Sequence, residues 1–62
     1  MKKVVLELVN AEAAALAQMA KRFTYDDAVR FANPRDERER EAILDGIRAL
    51  QRALAEAGHA PR

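Results

Sequence analysis

Cysteine and serine are both absent from the 62 residues, and histidine occurs once, as His59. No disulfide can staple the chain, no thiolate can act, and a Cys/His metal pattern is excluded. The two glycines, Gly46 and Gly58, build no glycine-rich loop ahead of a helix, so a phosphate cradle is not expected. Asp26 and Asp27 are adjacent, and neighbouring residues of a helix do not face each other, so they do not make an acid–base pair. Convergent catalytic groups are therefore missing. The sequence points away from an enzyme and away from any cofactor.

Long apolar runs are missing too. None approaches the ~18 residues of a membrane span. Met1-Lys2-Lys3 followed by Val4-Val5-Leu6 has the look of a signal-peptide start, but Glu7 and Asn10 interrupt the apolar stretch. With cysteine absent as well, a cytoplasmic protein is expected, with no membrane partner.

Charge is present but uneven. Residues 1–22 hold four basic and two acidic groups, residues 23–45 four basic and seven acidic, and residues 46–62 three basic and one acidic. An acidic middle between basic ends is not the concentrated basic face of a nucleic-acid binder. A chain this short makes one domain, 1–62, that buries only ~60% of its unfolded surface. Small domains without staples often oligomerise, so a homodimer is expected.

Along the chain, Val4, Leu6 and Leu8 alternate with Lys3, Val5, Glu7 and Val9, the pattern of a β-strand over 3–9. Leu and Glu also suit a helix, but the valine content favours the strand. A lone strand cannot satisfy its own backbone, so it must pair with a copy from another subunit or with a partner's sheet edge; in the expected antiparallel dimer Val5, Glu7 and Val9 lie on the dimer strand. Asn10 reads as the cap of a helix over 11–22, with Leu16, Met19, Ala20 and Phe23 as its buried stripe, broadened by the small residues Ala13, Ala14, Ala15 and Ala17. Thr24-Tyr25-Asp26-Asp27 opens a short helix over 25–32. Asn33-Pro34-Arg35-Asp36 then reads as the start of a long helix over 34–57, stopped by Gly58, with 58–62 as a loose tail. Arg35 with Glu39, and Asp36 with Arg40, are spaced for i, i+4 ion pairs. Ile43, Ile47, Leu50, Leu54 and Ala57 form its packing seam, beside a stripe of small residues, Ala42, Gly46, Ala49 and Ala53, suited to close approach of the first helix. The expected fold is mainly α with one N-terminal strand, in the order β-α-α-α.

The order strand, helix, helix over 3–32 is shared with ribbon–helix–helix repressors. Against that reading, Glu7 would be aimed at DNA, and Asp26 and Asp27 would meet phosphate at a helix start.

Two stretches carry a different resemblance. Leu6-Glu7-Leu8-Val9-Asn10-Ala11-Glu12-Ala13, continuing through Ala15-Leu16-Ala17-Gln18 and Lys21-Arg22, is one. Arg52-Ala53-Leu54-Ala55-Glu56-Ala57-Gly58-His59-Ala60-Pro61-Arg62 is the other. Together they resemble a family of small prophage-encoded proteins with no assigned activity; Phe23 to Glu41 departs from that pattern. A phage setting implies a non-enzymatic protein that binds a host protein complex, as phage inhibitors of the anti-CRISPR type bind a bacterial defence complex. The acidic residues Asp26, Asp27, Asp36, Glu37, Glu39 and Glu41 are then the candidate partner contacts. The alternative for this arginine-interleaved run is a solvated helix face.

Overall fold

The computed structural model describes residues 2–59. It is mainly helical, with α1 over Asn10–Arg22, α2 over Tyr25–Phe31 and α3 over Glu37–Glu56. Among the described residues there is no strand. Residues 3–9, expected as a strand, carry no regular secondary structure, because no strand among the described residues pairs with them and so no ladder forms.

Local chemistry sets each helix boundary; the starts of α1 and α3 differ from the sequence reading, and α2 and α3 each end one residue sooner. Val9, not Asn10, stands at the cap of α1 in an extended conformation. Glu12 Oε1 accepts from the Val9 N–H at 3.0 Å, and the Val9 carbonyl accepts from the Ala13 N–H at 3.0 Å. The reach of Glu12 places the first helical turn one residue earlier. At α2 the expected box is present. Thr24 Oγ1 accepts from the Asp27 N–H at 3.2 Å, and Asp27 Oδ2 accepts from the Thr24 N–H at 2.9 Å.

The third helix begins at Glu37, not Pro34. Asn33 uses its side-chain oxygen on the Arg35 N–H and its carbonyl on the Asp36 N–H, both at 2.9 Å. That makes Asn33-Pro34-Arg35-Asp36 a turn, with proline at the position that suits its fixed φ. Asp36 takes the cap, accepting from the Arg38 N–H at 3.0 Å and the Glu39 N–H at 3.3 Å. The other end carries the expected glycine stop. Gly58 adopts φ 89°, its N–H reaches the Ala55 carbonyl, and the His59 N–H reaches the Leu54 carbonyl at 2.8 Å. This is a Schellman motif, open to glycine because it lacks a Cβ. Residues 60–62 of the expected tail lie outside the described residues.

The 20 residues of α3 form the spine, about 30 Å long. Helices α1 and α2 each pack on α3 and not on one another. The result is a thin layer, 15 Å in its shortest dimension. Thinness decides the core. Of the expected large core residues, only Leu54 is fully buried; Leu16, Phe23, Ile43, Ile47 and Leu50 are half-buried, and Met19 is 44% exposed. The residues that are fully buried are otherwise alanines: Ala13, Ala17 and Ala20 of α1, with Ala28 and Ala32. Their i, i+4, i+7 spacing brings the α1 backbone close to α3 and leaves larger side chains on the flanks. Gln51 Nε2 donates to the Ala20 carbonyl at 2.8 Å, satisfying an acceptor that α1 leaves open at its C-terminal end.

Candidate functional site

The extended segment before α1 is the most unusual part of the molecule. Among the described residues, no hydrogen bond reaches the backbone N–H or C=O groups of Lys3 to Leu8. Val4 is 79% exposed, Val5 75% and Leu6 62%. Leu8 is the anchor: it packs on the cluster of Ala13, Ala17 and Leu54. The alternation seen in the sequence is nonetheless realised in space. Val4, Leu6 and Leu8 turn to one side and form one wall of an apolar trough of about 540 Å³. Lys3, Val5, Glu7 and Val9 are exposed and do not line it.

The opposite wall and floor come from α3. Gly46, Ala49, Leu50, Ala53 and Leu54 of α3 line the trough, together with Ala57 and His59 just beyond the helix. The small residues do not serve the close approach of α1 expected from the sequence. Ala42, Gly46, Ala49 and Ala53 are all exposed, and a Cβ added at Gly46 would meet nothing within 4 Å. α1 uses its own alanines to approach α3, so the second small-residue stripe is left open beneath the extended segment.

The acidic residues singled out from the sequence are divided between tasks. Asp27 and Asp36 cap α2 and α3. Hydrogen bonds from the Thr24 N–H and hydroxyl, with the Arg30 charge, hold the Asp27 carboxyl below the usual carboxylate range. Asp26, Glu37, Glu39 and Glu41 are exposed. By helical spacing Glu37 and Glu41 share a side of α3 that Glu39 does not. The expected pairs of Arg35 with Glu39 and Asp36 with Arg40 do not form. Asp36 is committed to the helix N–H groups, and the Arg40 guanidinium lies 5.2 Å from the Tyr25 ring centre in a cation–π contact. Arg48 and Asp45, at i, i+3, form an exposed ion pair instead, at 3.3 Å.

Sequence reasoning missed the trough. Its floor was read as a helix–helix contact, because small residues at helical spacing look the same in either role. Among the described residues no three His, Asp or Glu side chains gather as a metal site would need, and no helix is long and apolar enough to cross a membrane.

The chain belongs to DUF7706, a family of unknown function. The family pattern matches residues 1–62, so the free segment, the trough and the acidic middle all lie within it. No curated protein and no solved structure matches this DUF7706 chain.

Proposed function

We infer that this protein is a non-enzymatic protein–protein interaction module of the bacterial cytoplasm. One observation carries the reading: six consecutive residues present unpaired backbone groups and exposed apolar side chains beside an open trough. Such an edge recruits another polypeptide by strand addition, with backbone hydrogen bonds giving affinity and alternate side chains giving selectivity. The resemblance to small prophage proteins makes a defence complex of the CRISPR–Cas kind the partner class to test first, with the protein acting as an inhibitor. Asp26, Glu37, Glu39 and Glu41 are accessible as a second contact surface.

The test uses a photo-crosslinking side chain at Val5, with Arg52, exposed on α3, as the control position. Capture of one polypeptide from Val5 and not from Arg52, lost when Leu6→Pro removes a backbone donor, supports the reading. Equal capture from both positions, unaffected by Leu6→Pro, contradicts it.

A ribbon–helix–helix regulator is the second reading, favoured by the extended segment that runs into α1. Here, though, α2 has only seven residues and does not pack on α1. A salt-sensitive, sequence-dependent shift of DNA that is lost on changing Lys3 would establish it.

A further inference from the structure

We propose that the occupant of the free edge is a second copy of the same chain, paired antiparallel in the register that places Val5 opposite its own copy. This deepens the interaction-module reading and rests on it. In a two-fold antiparallel ribbon, the residues that face each other have numbers with a constant sum, and the choice of centre fixes every pair. Centring on Val5 sets Val4 against Leu6 of the partner copy on the trough side. It sets Lys3 against Glu7 on the outer side, twice by symmetry. Val4 then meets Leu6 and Lys3 meets Glu7, while Lys2 falls opposite Leu8. Centring on Leu6 instead sets Lys3 against Val9 and Glu7 against Val5, which leaves both charges facing valine. Both registers keep Val4 and Leu6 on the trough side and Lys3, Val5 and Glu7 outside, so the pairing of Lys3 with Glu7 is what distinguishes them.

A two-stranded ribbon alone is marginal in water and needs a helical layer beneath it. The trough supplies that layer. Leu8 already fixes one end of the segment on the core, and the exposed stripe of Gly46, Ala49 and Ala53 leaves room for side chains of the ribbon to settle on α3.

The natural chain contains no cysteine, so single cysteines report the register cleanly. Val5→Cys is expected to form a disulfide-linked dimer on mild oxidation, because directly opposed residues lie within disulfide reach. Val4→Cys and Leu6→Cys are expected to cross-link poorly alone and well when the two variants are mixed. A charge exchange gives the second arm. Glu7→Lys or Lys3→Glu alone should weaken dimerisation roughly tenfold by sedimentation, and the double exchange should restore it. Helix content by circular dichroism, unchanged across the set, shows that folding is intact. Efficient self-cross-linking of Leu6→Cys, or no rescue by the double exchange, overturns the register. A 6.9 kDa monomer at every concentration overturns the second copy. If the Val5 photo-cross-link to a different polypeptide persists in that case, the interaction-module reading stands; loss of both removes it as well.

Discussion

Leu54→Ala tests the architecture at its one large buried side chain. Leu54 is 6% exposed and lies on Ala13 and Ala17, with Leu8, Leu16 and Leu50 packed around it. Truncation removes about three carbon atoms from the core, worth ~0.8 kcal/mol each. A cavity term adds to this, but the neighbouring trough gives the site freedom to collapse, so the total should be ~2.5–3.5 kcal/mol. A domain of this size holds ~3–9 kcal/mol at the usual stability per residue. The variant should therefore lose about a quarter or more of its stability. The assay is urea unfolding followed by helical circular dichroism, at fixed protein concentration because self-association would raise the apparent stability. Met19→Ala is the paired control, with an expected cost below ~1 kcal/mol at its exposed site. A Leu54→Ala cost under ~1 kcal/mol, or a larger cost at Met19, would refute the alanine-lined packing of α1 on α3.

Gly46→Ala should stabilise the monomer by ~0.4–1 kcal/mol, since nothing opposes the added methyl and the position is helical; a loss in the same urea assay would mean the trough floor is occupied. Gly58→Ala should cost ~1 kcal/mol or more, because alanine at φ 89° is strained, and the thermal midpoint should fall. The Asp27 carboxyl, held below its usual range by Thr24 and Arg30, adds stability that is present above the ordinary carboxylate pKa and lost as pH falls through its lowered value. Asp27→Asn should therefore flatten the acid limb of a stability–pH curve; an unchanged limb would show that the Thr24 box does not form.

Features written in neighbouring residues were legible in the sequence. The Thr24–Asp27 box, the Gly58 stop and the helical content all arise within a few positions of one another. The start of α3 was misread because two good caps, Asn33 and Asp36, lie three residues apart. Only the structure shows the Asn33 side chain committed to a turn. The alternation of Val4, Leu6 and Leu8 placed all three along the trough, but only Leu8 packs on the core while Val4 and Leu6 stay exposed, and among the described residues no strand pairs with them. Core composition was read in part: Ala20, with Ala13 and Ala17 beside it, was expected on the buried stripe of α1 and is buried, whereas in a layer this thin Leu16 and Phe23 reach only half-burial and Met19 stays exposed. The trough was beyond reach because its walls, Val4 and Ala53 for instance, are far apart in sequence.

Hydrogen–deuterium exchange at the amides of Val4 to Leu8, followed over a protein concentration series, tests the central claim most directly. These amides have no partner among the described residues, so they should exchange at unstructured rates when dilute. In a ribbon, alternate amides should become protected as copies associate, and Leu6→Pro should abolish the protection. Exchange that stays fast at every concentration and in the presence of a captured partner would contradict the account of this segment as a pairing edge.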